Sequence, residues 1–191
     1  MEPDFEQIIR RGSEVKHGLA IPRLSQADCV MLFNAVCYLR CQIIVEIGAM
    51  LGTSSMVLGL AAKEAAGKVW SIEIRPRKEW RENIQYYALQ DRVTLIQGNS
   101  RTINLKLPAQ IDLLFIDGDH QTQSVLDDYY NWIDKVRDGG WIGFHDIYGP
   151  PSAKVKKAIE MILNKEPGCL NFVDKTPPAR DCGTAIYKKI K

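Results

Sequence analysis

The 191-residue chain has no apolar run near the roughly 20 residues that cross a bilayer. Its first stretch, Met1 to Arg11, carries charges throughout and lacks the apolar core of a secretory signal. It also lacks a charge excess: 25 Lys and Arg face 23 Asp and Glu, a formal net charge of +2. That balance argues against a dedicated nucleic-acid or polybasic membrane protein. Ordinary apolar content, 46% of residues, argues against intrinsic disorder. No C-x-x-C pair occurs. The five cysteines, Cys29, Cys37, Cys41, Cys169 and Cys182, read as small buried hydrophobes rather than metal or redox groups. Repeats and low-complexity stretches are missing too. The expectation is a cytoplasmic protein of one domain over residues 1–191, a monomer or homodimer, with neither nucleic acid nor membrane as partner.

What is present is alternation. Short apolar runs fall at Gln42–Ile47, Val69–Ile74, Val93–Gln97, Asp112–Ile116 and Trp141–Phe144, then at Asn171–Val173 and Thr184–Tyr187. The first five are nearly continuous, as buried parallel strands are. Helical patterns separate them at Thr53–Ala66, Arg77–Gln90, Thr122–Arg137 and Ser152–Asn164, and another precedes them at Gln26–Leu39. Asp138-Gly139-Gly140 reads as a helix stop. Such alternation predicts an α/β fold: a Rossmann-like, doubly wound seven-stranded sheet with helices on both faces. The sheet is mostly parallel, with an antiparallel C-terminal strand in a closing hairpin. Residues 1–40 form a polar and then helical N-terminal segment, and 41–191 the core.

Ligands of open α/β sheets bind beyond the carboxyl ends of the strands. The first strand ends in Glu46-Ile47-Gly48, and the chain enters a helix at Gly52-Thr53-Ser54. The glycines permit a tight turn and close backbone approach. Met50 stands where a dinucleotide motif needs its second glycine, so a nicotinamide-dependent oxidoreductase is the weaker alternative. Glu73 ends the second strand, placed to accept bonds from ribose hydroxyls. Asn99 and Ser100 end the third. Asp117 ends the fourth, within Phe115-Ile116-Asp117-Gly118-Asp119-His120, and Asp146 the fifth, after His145. If those strands are neighbours, Asp117 and Asp146 face one cleft, flanked by Asp119, His120 and His145. Close carboxylates share a proton, take a cation or bind a basic group. A non-catalytic ligand-binding module on this fold is the other alternative.

With these motifs in order, the chain resembles the class I S-adenosylmethionine-dependent methyltransferases over about residues 26–190. Val45–Ser54, Ser71–Ile74, Leu89–Ser100 and Phe115–Asp117 are similar to segments of catechol-type small-molecule O-methyltransferases. The Asp117–His120 run and Gly139–Asp146 resemble the macrocin-type bacterial branch. The resemblance implies S-adenosylmethionine as cofactor, with Glu46, Gly48, Gly52, Thr53 and Ser54 along its methionine part, Glu73 on the ribose and Asn99 and Ser100 beside the adenine. Asp117 would border the cofactor as well. Asp117 and Asp146 match positions that ligate magnesium in metal-dependent members. His120 stands where catechol enzymes carry a lysine base, and Ile147 where they carry a third metal ligand, so Asp119 or a histidine would have to complete a metal site. The expected reaction is methyl transfer to a hydroxyl of a small molecule, a sugar or a phenol-like ring. His120, Asp117 and Asp146 are its expected catalytic residues, with His120 as a base poised near neutral pH or a divalent metal lowering the hydroxyl pKa. Val15–Ser25, Tyr148–Ala153 and Lys175–Asp181 are the candidate substrate lids.

Overall fold

In the computed structural model, residues 3–16, 19–21, 24–103, 107, 109–178 and 183–190 are described. Parts of two expected lids, Val15–Ser25 and Lys175–Asp181, lie outside the described residues, as does Cys182. The chain opens with helix α1 (Phe5–Arg11), a short antiparallel pair β1 (Glu14–Lys16) and β2 (Leu19–Ile21), and helix α2 (Gln26–Leu39). There follow β3 (Ile43–Ile47), α3 (Thr53–Ala65), β4 (Lys68–Glu73), α4 (Lys78–Tyr86), β5 (Val93–Gln97), β6 (Ile111–Ile116) and α5 (Thr122–Trp132). A 3-10 turn, Ile133–Lys135, leads into β7 (Val136–Phe144), then α6 (Ser152–Lys165), β8 (Leu170–Lys175) and β9 (Ala185–Lys189).

Seven strands form one sheet in the order β5-β4-β3-β6-β7-β9-β8. Pairing is parallel from β5 to β7, and β9 runs antiparallel between β7 and β8. The predicted doubly wound sheet is therefore the fold. From β3 the chain winds outward to β4 and β5, then returns to β6 and winds the other way. The reversal sits between β3 and β6, and a crevice opens at such a point.

The continuous apolar runs at the centre of the sheet have a simple origin: β3 and β6 are covered on both faces. Val45, Ile47, Leu114, Ile116 and Phe144 pack with Val125, Tyr129 and Trp132 of α5 and Val155, Ile159 and Ile162 of α6. Ile44, Val69, Leu113 and Phe115 pack on the other face with α1, α2 and α3 through Phe5, Ile8, Leu32, Val36, Met56 and Val57. The two-residue period puts Glu46 and Ser71 on this second face.

Three local readings differ from the sequence expectation. The helix expected over Thr122–Arg137 stops early. Val136 already pairs with Ile111, and Asp138-Gly139-Gly140 lies inside β7, at a register shift before Leu113 meets Trp141. Gly139 adopts φ +75 there, a bulge conformation that glycine tolerates. The helix expected to Gln90 ends at Tyr86, where Ala88 turns the chain with φ 51. The N-terminal polar stretch contains α1, whose cap Asp4 accepts from the Gln7 N–H.

Asp112 locks the amino ends of three strands. One carboxylate oxygen accepts the N–H groups of Gln42 and Ile43 at 2.7 and 2.9 Å, and the other accepts Arg137 Nε at 2.6 Å. Charge-assisted bonds of this kind are costly to leave unmade. Asp112→Ala is expected to lower the unfolding free energy by about 3 kcal/mol, and Asp112→Asn by roughly half as much, since an amide oxygen still accepts. Urea denaturation of the three proteins checks the order.

Candidate active site

The crevice begins with the turn between β3 and α3. Gly48 and Gly52 have φ of +92 and +90, both left-handed. A Cβ on Gly48 would stand 2.1 Å from the Asp117 carbonyl oxygen, so the ends of β3 and β6 touch only because that atom is missing. Met50 between them adopts φ 40 and Asp146 φ 56. The other non-glycine residues with positive φ, Arg40, Ala66 and Ala88, lie at or just after helix ends. The backbone thus carries unfavourable dihedrals at both halves of the crevice, the pattern of a functional site.

Beneath the turn Glu46 is fully buried. Its Oε2 accepts Ser55 Oγ at 2.5 Å and also Ser71 Oγ, while Trp80 Nε1 donates to Ser55 Oγ at 2.9 Å. Burial raises the Glu46 pKa to about 7 despite hydroxyls from Ser54, Ser55 and Ser71. Its Oε1 has no partner among the described residues, a buried acceptor that a ligand ammonium would satisfy. Glu73 faces the turn from β4. Its Oε2 accepts the N–H groups of Ala49 and Met50 at 3.2 and 3.0 Å, and Oε1 accepts that of Arg75 at 2.9 Å. Thr53 has a further partner. Its hydroxyl donates to the Gly12 carbonyl at 3.0 Å, so it fastens the N-terminal segment to α3.

Asn99 shapes the turn after β5, its side chain accepting the Arg101 N–H at 3.0 Å. Ser100 is held from both sides. Its hydroxyl donates to Asp128 at 2.5 Å, and its carbonyl accepts Trp132 Nε1 at 2.9 Å. The β5 loop is thereby drawn toward α5.

Because β6 and β7 are neighbours, Asp117 and Asp146 do face one another, with His120 and His145 between them. His120 Nε2 lies 2.7 Å from Asp146 and 3.9 Å from Asp117. The buried His145 places Nδ1 2.9 Å from Asp117 and 3.6 Å from Asp146, and Nε2 3.8 Å from Asp28. Asp28, fully buried on α2, also forms a capping box with Ser25 and accepts Thr176 Oγ1 at 3.1 Å. Asp117 and Asp146 together raise the His120 pKa to about 9 against partial burial. The two carboxylates thus move His120 above the near-neutral range of a free imidazole and favour its charged form. Burial opposes charge on His145, but the three carboxylates outweigh it and raise its pKa well above 6.5. Burial likewise works against the Asp28 carboxylate, yet His145 and Ser25 bring its pKa down to about 2.

Asp119 does not join the cluster. It lies just ahead of α5, accepting Ser124 Oγ at 2.7 Å and the Gln121 N–H at 3.3 Å. Ile147 is buried in the core. The groups that could hold a metal are therefore Asp117, His120 and Asp146, whose donor atoms lie within 4.8 Å of one another. Two carboxylates and one imidazole suit manganese, iron or zinc better than magnesium, and only once His120 has lost its proton. Sequence reasoning missed Asp28 and Thr176. Asp28 was legible only as a helix-start residue, and nothing local announced Thr176. Of the expected lids, Tyr148–Ala153 is tied down by Tyr148 Oη, which donates to the Thr176 carbonyl at 3.1 Å. An open groove of about 700 Å³ lies elsewhere, between α2 and the β8–β9 hairpin.

Comparison with known proteins agrees with this geometry. Residues 45–147 match the model of a methyltransferase domain family. The chain belongs to that methyltransferase family. The O-methyltransferase TomG of Streptomyces achromogenes, crystallised with S-adenosylmethionine, superposes with a TM-score of 0.76 at 14% identity, over 100% of this chain and 92% of that one. An O-methyltransferase of Bacillus cereus, bound to S-adenosylhomocysteine, gives 0.74 at 18% identity, over 97% and 90%. The S-adenosylhomocysteine-bound methyltransferase PaMTH1 of Podospora anserina gives 0.72 at 16%, over 88% and 80%. These likenesses establish the fold. A 40-residue stretch is 52% identical to an uncharacterized protein of Acanthamoeba polyphaga mimivirus, covering 21% of this chain and 18% of that protein.

The raised His120 pKa implies stability that is complete below pH 6.5 and lost as pH rises through about 9. NMR titration is expected to show His120 changing state near pH 9, and Asp146→Asn is expected to move that midpoint down toward 6.5.

Proposed function

We propose that the protein is an S-adenosylmethionine-dependent O-methyltransferase acting on a hydroxyl of a small molecule, a sugar or a phenol-like ring. One observation carries this reading. The Gly48 turn and Asp117 share a wall with no room for a Cβ, so a ligand on the turn borders the acid–imidazole cluster. The residues fit the cofactor: Gly48 and Gly52 clear its path, the unpartnered Glu46 oxygen lies under its ammonium end, and Glu73 takes the ribose. Asn99 and Ser100 border the adenine. S-adenosylmethionine supplies an activated methyl group on a positively charged sulfur.

The protein's part is to position and deprotonate. Attack on the methyl is in line, so holding the hydroxyl in place supplies much of the rate. Asp146 and Asp117 hold the His120 ring through its Nε2 proton, so in neutral His120 the nitrogen that takes the hydroxyl proton is Nδ1. At pH 7 that nitrogen holds a proton of its own, so the active fraction grows with pH up to about 9. A divalent cation is the second route: Asp117, His120 and Asp146 would hold it, and it would supply Lewis acidity toward the hydroxyl. Membership of a methyltransferase family leaves the nicotinamide reading without support. The intact Asp117–His120–Asp146 cluster disfavours a non-catalytic module. Near-zero net charge favours a small acceptor over nucleic acid, and among the described residues no helix is long and apolar enough to cross a membrane.

A panel of sugars and phenols with labelled S-adenosylmethionine, with and without divalent ions and chelator, tests the reading. Against a confirmed acceptor, His120→Ala and Asp117→Ala are each expected to lower kcat about 10²–10⁴-fold. In metal-free buffer the rate is expected to climb toward pH 9. Unchanged turnover in both variants contradicts the assignment.

A further inference from the structure

Asn83 is a buried amide that the methyl-transfer mechanism does not use. It stands on α4 and is 4% exposed. Its Nδ2 donates to the Leu51 carbonyl, in the glycine turn, at 2.9 Å and to the Arg11 carbonyl at 3.3 Å. Its Oδ1 accepts Arg11 Nε at 3.2 Å. Arg11 ends α1, and its guanidinium lies 3.7 Å from the centre of the Tyr86 ring. One residue on, the Gly12 carbonyl takes the Thr53 hydroxyl. A Cβ on Gly12 would stand 1.9 Å from that hydroxyl oxygen, so the end of α1 sits directly on the start of α3.

The turn is therefore held from two sides. Glu73 takes the N–H groups of Ala49 and Met50. From the other side Asn83 takes hold of Leu51, and Gly12 of Thr53. A helix of seven residues is too short to be stable alone, so α1 exists through these contacts and through its buried Phe5 and Ile8. The turn needs support as well, because Met50 sits at φ 40 between two left-handed glycines. A ligand that fixes the turn lowers the cost of seating α1. By linkage, a seated α1 tightens the ligand by the same factor.

We infer that Asn83 is a positioning residue that couples the seating of the N-terminal helix to occupancy of the glycine turn, so that α1 is held more tightly when the cofactor is bound. The inference rests on S-adenosylmethionine binding at that turn. It goes further by giving the N-terminal segment, which supplies none of the proposed cofactor contacts, a part in cofactor affinity.

Amide hydrogen exchange of the full chain, with and without S-adenosylhomocysteine, tests this without turnover. In the wild type, saturating ligand is expected to slow exchange in α1 about 5–10-fold, together with the turn itself. In Asn83→Ala the ligand is expected still to protect the turn, while α1 exchanges at one rate with and without it. Arg11→Ala cuts the same link from the α1 side, at a half-buried position. It is expected to raise the calorimetric Kd about threefold or more, and to have no further effect in the Asn83→Ala background. A merely structural Asn83 would let α1 exchange faster in both states and leave its protection by ligand in place, which overturns the inference. A wild type whose turn is protected by ligand while α1 is unchanged overturns it with no variant needed. If Asn83→Ala does not fold, Arg11→Ala decides, and a Kd equal to that of the wild type overturns the inference alone. If the wild type binds no S-adenosylhomocysteine, the cofactor reading falls, and this inference with it.

Discussion

Three carboxylates and two imidazoles must share a small, partly buried volume at the ends of β6 and β7. Burying Asp28, Asp117 and Asp146 without cations would cost several kcal/mol each. His145 stands among all three, and His120 bridges Asp146 toward Asp117. This charge balance does more than offset desolvation. Asp28 caps α2 and takes the Thr176 hydroxyl from the C-terminal hairpin, so distant parts of the chain converge on one imidazole. Tyr148, beyond Asp146, reaches the Thr176 carbonyl and closes the same circuit from β7. The geometry of the acid–imidazole cluster is therefore set by the whole doubly wound core.

The second constraint is contact between backbones. Gly48 approaches Asp117 so closely that no other residue fits, and the glycine turn and the acids become two sides of one crevice. The turn is held from the side by Glu73, which accepts two of its N–H groups. Left-handed dihedrals at Met50 and Asp146 are tolerated because neighbouring strands over-determine them. Binding and chemistry are thus arranged by short-range backbone geometry, while the charge cluster supplies the electrostatics.

The fold was largely legible, because a doubly covered parallel sheet writes itself as apolar runs between amphipathic helices. The seven strands stand close to their expected places. What misled was Asp138-Gly139-Gly140, where a helix stop and a β-bulge ask for the same residues. In the site, Asp117, His120 and Asp146 were readable since each lies in a short motif at a strand end and the strands are adjacent. Asp28 and Thr176 were not, being 148 residues apart in sequence and joined only by folding. The environment of His120 was not legible for a related reason. Its intrinsic pKa is local, but the shift to about 9 comes from carboxylates on two different strands. The bond from Thr53 to Gly12 was not legible either, since its partner lies 41 residues away.

The central claim is that the Gly48–Gly52 turn and the acid–imidazole cluster form one site for methyl transfer. A crystal structure of the protein with S-adenosylhomocysteine tests it most directly. The account predicts the ribose hydroxyls on Glu73, the adenine beside Ser100, and the sulfur facing Asp117 and His120. A ligand seated away from the turn, for instance in the groove lined by Met31, Tyr38, Trp141 and Val173, would contradict it.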